Sequence, residues 1–225
     1  MAKLPAIIEL IAKHDSKSAA TISNYARVLR DAGILPTGKR GRGAPDMHAN
    51  EVADLVIGLA GAGDAVNAPY AVEILRNAKL QPKIELEYDG LVDADEELKH
   101  WSIAESCEDF GMLLASLLSD EPRRDDVVAD SDGSWFCITN MTVTITEVVP
   151  GLDFGTAKVM LDDGNQWVRL HFQTPEIPDL VNREKGDREL IGLNATWARS
   201  TCIDYSFFVD ASVCINGGYR NQFEE

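Results

Sequence analysis

MTVTIT, residues 141–146, is the stretch that decides the fold class of this chain of 225 residues. Its apolar residues alternate strictly with threonines, and a period of two is typical of a strand with one buried face. Residues 157–161 and 168–172 repeat that period, and Asp163-Gly164 between them favours a hairpin turn. These patterns predict a sheet of mostly antiparallel strands in the second half of the chain.

Two further strands are predicted towards the C-terminus. The first rests on the alternation of Leu193, Ala195 and Trp197, and the second on the alternation of apolar residues from Phe207 to Ile215. Residues 106–118 instead carry leucines at helical spacing. We expect this helix to cover one face of the sheet.

The first 80 residues have the period of helices. Apolar residues recur three and four positions apart in residues 6–14, 22–29, 52–59 and 68–78. Gly33 suits a left-handed C-terminal cap, and Asn50 and Asn67 suit the N-caps of the third and fourth helices.

Charge divides the chain in the same way as the secondary-structure period. Residues 1–83 carry a net charge of +3, whereas residues 84–225 carry −19, within a total of −16. Such a shift of composition is typical of two domains. We therefore predict an α+β chain, with a helical domain in residues 1–80 and an acidic, mostly antiparallel β domain with a covering helix in residues 84–225.

A polar helix followed by a basic loop is the strongest functional signal. It reads TISNYARVLRDAGILPTGKRGRGAPD, residues 21–46. Glycines let the backbone of the loop approach a phosphate chain, and cations bound to phosphates release counterions. Short polar side chains on the helix suit base edges and phosphates. The alternatives for the loop are a solvated segment without a partner and a contact with protein.

The same residues resemble the recognition helix and wing of winged-helix repressors such as the ArsR-type regulators, where a Leu-x-x-Ala-Gly turn precedes a basic wing. Here Leu29, Ala32 and Gly33 form that turn. The resemblance covers residues 21–46 only. Because one helix precedes the polar helix and Pro45 leads into another helix, a plain helix-turn-helix is the alternative.

Either topology predicts double-stranded DNA as the partner. Arg27 suits a guanine edge and Asn24 an adenine edge, whereas Arg40 and Arg42 suit phosphates or the minor groove. The predicted DNA-binding residues are Thr21, Ser23, Asn24, Arg27, Lys39, Arg40 and Arg42.

The layout of the whole chain resembles uncharacterised two-part proteins carried by phages and prophages of alphaproteobacteria. That resemblance implies a sequence-specific transcriptional regulator that forms a homodimer or a higher homo-oligomer. A DNA-packaging or virion-assembly protein similar to a small terminase subunit is one alternative. A protein-interaction module without DNA binding, using its acidic domain to hold a protein partner, is another.

The sequence predicts neither an enzyme nor a cofactor. Gly58, Gly61 and Gly63 indicate a helix stop, since no GK[ST] follows them. The four histidines lack metal-ligand spacing, and no GxSxG motif is present. We therefore expect no catalytic residues and no metal.

A cytoplasmic protein without a membrane partner is expected. No run reaches the roughly 18 apolar residues of a membrane-spanning helix, and the N-terminus does not read as a signal peptide. Four cysteines without CxxC spacing indicate free thiols in a reducing compartment, with a Cys202–Cys214 bridge as the alternative.

Overall fold

The structure is a computed structural model that describes residues 2–38, 45–86, 90–94, 107–119, 140–148, 154–162, 167–174 and 199–216. Within these ranges the chain forms helices and a mostly antiparallel sheet, so the predicted α+β class is confirmed. The cysteines at 107, 202 and 214 are all free, so no Cys202–Cys214 bridge forms.

Six helices lie in the described ranges. They are α1 Leu4–His14, α2 Ala19–Asp31, α3 Ala49–Gly61, α4 Ala68–Arg76, α5 Phe110–Ser119 and α6 Tyr205–Asn216. The first five overlap the helices that the sequence predicts. None of the six is both long and apolar enough to span a bilayer.

The helix ends follow local side-chain chemistry. Ser18 caps α2 by accepting a hydrogen bond from the backbone N–H of Thr21, and Gly33 adopts the left-handed φ of 77° after the helix, as predicted. Asn67 is the N-cap of α4, also as predicted. The prediction for Asn50 is wrong, because the N-cap of α3 is His48, two residues earlier. The Glu51 carboxylate accepts from the His48 N–H at 2.8 Å.

Nine strands accompany the helices in the described ranges. They are β1 Ala2–Lys3, β2 Asp46–Met47, β3 Lys79–Leu80, β4 Lys83–Leu86, β5 Gly90–Asp93, β6 Asn140–Thr146, β7 Thr156–Asp162, β8 Trp167–Gln173 and β9 Ser200–Asp204. The main sheet has the order β5-β4-β8-β7-β6-β9, and β3 also pairs with β8. Separately, β1 pairs with β2.

The three central strands lie where the alternation of residues predicts them. Strands β6, β7 and β8 bury the apolar residues of the predicted alternation on one face. The other face carries their threonines and charged residues, together with Met160 and Trp167. Strands β7 and β8 pair antiparallel up to Asp162 opposite Trp167, whereas the Asp163-Gly164 turn lies outside the described residues. The strand predicted at residues 193–197 also lies outside them. The sequence did not indicate β4, β5 or β9.

The strand predicted at residues 207–215 is wrong, because this segment forms α6. Phe207, Phe208, Ala211 and Ile215 are its buried apolar residues, and their spacing is helical. The Asp204 carboxylate accepts from the Ser206 hydroxyl at 2.6 Å and from the Phe207 N–H at 3.4 Å, which caps the start of the helix. The alternating set contains Phe207, Ala211 and Ile215 at the four-residue spacing of a helix, so the sequence pattern fitted a strand and a helix, and the packing of the fold decided between them.

Helices from both halves of the chain cover one face of the sheet. Helix α3 packs on α4, α5, β6 and β9, and α6 packs on α1, α5, β6 and β9. Phe110 of α5 contacts Phe172 of β8, with ring centroids 5.7 Å apart. Apolar residues from before and after residue 80 therefore share one hydrophobic cluster. The division into domains at residues 80 and 84 stays a prediction.

The glycines of α3 are packing positions. Gly58 lies inside the helix, not at its end, so the helix-stop prediction is wrong for this residue; α3 does end at Gly61. A Cβ on Gly58 would lie 3.1 Å from Leu29 Cδ1, and a Cβ on Gly61 would run into the side chain of Leu75. The two glycines therefore let α2 and α4 approach α3 closely.

Candidate nucleic-acid interface and an adjoining cavity

Helix α2 has a buried face that fixes its position. Ile22, Ala26 and Leu29 are completely buried, and Tyr25 is nearly so. The Tyr25 hydroxyl donates to the Ala62 carbonyl at 3.2 Å, just after the end of α3. The sequence predicts these residues as the inner face of the helix, and in the fold α2 packs on α1, α3 and α4. The opposite face of α2 is consequently held out towards solvent.

The outer face of α2 brings together four predicted site residues. Thr21, Ser23, Asn24 and Arg27 are all exposed. Arg27 donates to the Asp31 carboxylate at 2.8 Å and to the Asn24 side-chain oxygen at 3.1 Å. Both members of the Arg27–Asp31 pair are more than half exposed, so the pair adds only a few tenths of a kcal/mol. Arg27 is therefore free to exchange this partner for another.

The start of α2 adds residues that sequence reasoning missed. The hydroxyl groups of Ser18 and Thr21 form a hydrogen bond of 3.0 Å. Ala19 and Ala20, which lie between them in the first turn, are exposed. Small side chains there leave the helix N-terminus open to close approach, and the helix dipole favours a phosphate at that end. The pair of small residues directly after an N-cap serine is the sequence feature that could have identified this helix start as a candidate phosphate contact.

The basic loop is described only at its two ends. The predicted site residues Lys39, Arg40 and Arg42 lie outside the described residues. A Cβ on Gly38 would run into the ring of Pro45, so the two ends of the loop lie side by side. After the loop, β2 pairs with β1, and Lys3 and Asp46 form an ion pair at 2.8 Å. The expectation that Pro45 leads directly into a helix is corrected by this short strand.

The segment of residues 16–45 has a net positive charge, whereas the whole chain has a net negative charge. Residues 16–45 contain six Lys and Arg residues against a single acidic residue, Asp31, in a chain with a net charge of −16. Interactions between exposed charges fade beyond about 8–10 Å at physiological salt. Attraction of a polyanion to this segment would therefore be local.

A cavity of about 350 Å³ adjoins the turn between α1 and α2. Ile11 of α1, Val56 and Leu59 of α3 and Phe207 of α6 form its apolar part. The turn residues 15–17 and strand β9 form its polar part. Sequence reasoning missed this cavity, because its walls come from opposite ends of the chain.

Charged side chains connect α1 to α6 beside the cavity. Asp210 contacts Lys13 Nζ at 2.8 Å and His14 Nε2 at 3.0 Å, and these contacts lower the pKa of Asp210. The hydrogen bond from the Ser206 hydroxyl is the main cause that lowers the pKa of Asp204, and hydrogen bonds from two backbone N–H groups lower it further. Both carboxylates are therefore ionised at neutral pH.

Serine, histidine and aspartate meet here without the geometry of a nucleophile. Ser206 Oγ lies 2.6 Å from the Asp204 carboxylate but 3.5 Å from His14 Nδ1. The hydroxyl proton is committed to the carboxylate that caps α6, and the imidazole is a poorly placed base for it. The cluster joins α1 to α6, and its members His14 and Asp204 line the cavity.

The structure thus places four of the seven predicted residues on one exposed surface, and the other three lie in the loop outside the described ranges. That surface lies on a helix whose inner face is fully packed. Comparison of the chain with protein-family models, with curated proteins and with solved structures finds no match in any of the three.

Proposed function

We propose that the chain binds double-stranded DNA and acts in the cytoplasm as a sequence-specific transcriptional regulator of phage or prophage type. Helix α2 lies in the major groove, and the basic loop of residues 39–44 follows the backbone or the minor groove. The observation that carries this proposal is the exposed polar face of α2, held out by a buried apolar face. No catalytic role is part of the proposal.

The energies of the two contacts favour a move of the Arg27 side chain from Asp31 to a DNA base. Its exposed pair with Asp31 is worth about 0.3–0.5 kcal/mol. A bidentate contact with a guanine edge is worth roughly 1–3 kcal/mol of discrimination. Asn24 accepts from the same guanidinium, so both side chains become available together when Arg27 turns to a base.

The short strand after the loop supports a wing over a plain helix-turn-helix. Strand β2 pairs with β1, which directly precedes α1, and the chain therefore runs strand, helix, helix, loop, strand. The pairing brings the far end of the loop back beside the first helix. Three cations on a loop held at both ends suit contact with consecutive phosphates.

The acidic remainder of the chain suits orientation and assembly. With a net charge of −19, residues 84–225 repel DNA, so they favour complexes in which only the N-terminal surface touches the duplex. We propose that this segment also forms the homodimer or higher homo-oligomer, or holds a protein partner. Light scattering of the free protein distinguishes a regulator dimer from the large ring expected of a packaging subunit.

The test begins with selection of a preferred duplex from a random library, followed by fluorescence anisotropy on that duplex and a scrambled one. Arg27→Ala and Asn24→Ala should each reduce the preference for the selected duplex about tenfold, since each removes a base contact. Lys158→Ala, which removes an exposed cation from β7, is the matched control and should bind as wild type does. If both α2 variants keep the full preference, α2 does not read the bases.

A further inference from the structure

The cavity beside the α1–α2 turn has the size and position of a small-molecule site. Its volume of about 350 Å³ lies within the usual range of roughly 300–1,000 Å³ for ligand pockets. Its wall includes residues 15–17, which end directly before Ser18, the N-cap of α2. A molecule in this cavity would therefore touch the segment that positions α2.

The inner part of the cavity calls for an apolar body. Ile11 and Phe207 belong to the buried core, as do Val56 and Leu59, and all four also line the cavity. An apolar body placed against these side chains removes its own apolar surface from water, which favours binding. This favours a compact aromatic or aliphatic group.

The polar rim of the cavity calls for a cation. Asp15 is paired with Lys17 at 3.1 Å, and its carboxylate also accepts from the Lys17 backbone N–H. Asp204 lines the cavity as well, but within the described part of the chain its hydrogen bonds come from Ser206 and Phe207, and no lysine or arginine pairs with it. His14, which also lines the cavity, acts on this carboxylate, but Asp204 has no lysine or arginine partner as Asp15 does.

We propose that this cavity binds a small organic amine, with its apolar body against Ile11, Leu59 and Phe207 and its protonated nitrogen on the Asp204 carboxylate. Because the amine also contacts the α1–α2 turn, its binding changes the affinity of α2 for DNA. The amine site stands on the cavity alone, whereas this regulatory step rests on the proposed function. Neither the carboxylate nor the apolar wall requires DNA to be present.

Three probes that share an indole ring and differ in the charge of a short side chain test the site: tryptamine, tryptophol and indole-3-acetate. In calorimetric titrations of the full chain, tryptamine should bind at least about tenfold more tightly than tryptophol, and indole-3-acetate should bind most weakly, since buried or partly buried charge pairs favour one sign. No binding of tryptamine at millimolar concentration, or equal binding of the three probes, would overturn the proposal.

Asp204→Asn provides the decisive variant, because asparagine caps a helix about as well as aspartate and α6 should remain intact. In this variant tryptamine should fall to the affinity of tryptophol, and tryptophol should be unchanged. Glu108→Gln, which removes an exposed carboxylate two residues before α5, is the matched control and should keep the preference for tryptamine. Unchanged tryptamine binding by Asp204→Asn would place the amine elsewhere and overturn the site.

Anisotropy titrations of a DNA duplex with and without saturating tryptamine separate this site from the proposed function. A change of several-fold in duplex affinity supports the regulatory step. An unchanged affinity overturns that step and leaves the amine site standing. If the chain binds no DNA while the charge preference among the probes holds, the proposed function fails and the amine site is supported.

Discussion

Among single residues, Asp54 is the clearest case of an ionisable side chain in a buried position that disfavours its charged form. Its side chain is 5% exposed within α3, and Arg76 Nη1 lies 2.8 and 2.6 Å from its two carboxylate oxygens. Burial raises the pKa of Asp54 to about 6, and the Arg76 guanidinium offsets only part of that effect. Because Arg76 is partly exposed, water screens its charge more than it screens the carboxylate.

This pKa makes stability fall as the pH rises. The folded-state pKa of Asp54 lies above the unfolded value of about 3.9, so its contribution is complete below about pH 4 and is lost as the pH passes 6. Between about pH 5 and 7.5 the loss is on the order of 1 kcal/mol. Urea unfolding at both pH values should show this loss in the wild type relative to Asp54→Asn. Parallel pH profiles of the two proteins would contradict the raised pKa.

The environment of a residue can be predicted from the sequence where it depends on neighbours along the chain. Ile22, Tyr25, Ala26 and Leu29 are buried because helical spacing alone puts them on one face. The contact between His14 and Ser206 spans 192 positions, so no local pattern could reveal the cavity beside it. Asp54 was equally hidden, because an acidic residue within a helical pattern is usually exposed.

Among the elements, α6 shows where sequence patterns fail. Its apolar residues alternate from Phe207 to Ile215, but Phe208 also lies in the core, which a strand with one buried face does not permit. Strands β4 and β9 are four and five residues long, too short to display a period. By contrast, β6, β7 and β8 each contain seven residues and were predicted correctly.

The contact between α3 and α4 gives a prediction at the same scale. Replacing a helical glycine by alanine usually stabilises a helix by about 0.5–1 kcal/mol. Gly61→Ala should instead destabilise the protein by roughly 1–3 kcal/mol, because its Cβ would meet the fully buried Leu75. Thermal unfolding of the single variant and of Gly61→Ala in a Leu75→Ala background measures the effect.

The double variant is the control for this contact. In the Leu75→Ala background the added methyl group has room, so Gly61→Ala should cost little or even stabilise. The same loss of stability in both backgrounds would show that Leu75 is not the obstacle.

For the whole molecule, the described contacts favour unfolding in one step. Helices α3 and α4 pack on α5 across the composition boundary near residue 80. All four tryptophans follow residue 84, whereas four of the six described helices precede it. Tryptophan fluorescence and far-ultraviolet circular dichroism should therefore give coincident urea transitions. Two separated transitions would favour independent domains at residues 1–80 and 84–225.

The distribution of charge is a property of the whole molecule that can be predicted from the sequence alone. The positive segment of residues 16–45 includes the outer face of α2, which the structure leaves exposed. What required the structure was the arrangement of the segment: α2 is buried on one side, and the two ends of the loop, Gly38 and Pro45, lie side by side.

The most direct measurement of DNA binding by α2 and the loop is anisotropy of a random duplex over salt concentrations from about 50 to 300 mM. The logarithm of the wild-type affinity should fall with the logarithm of salt with a slope of about −3 or steeper. Replacing Lys39, Arg40 and Arg42 by alanine should reduce the slope by about 1 per cation removed. The equal-charge control replaces Lys79, Lys83 and Lys158 and should keep the wild-type slope. No binding at low salt, or equal losses in the two triple variants, would contradict a DNA-binding surface on α2 and the loop.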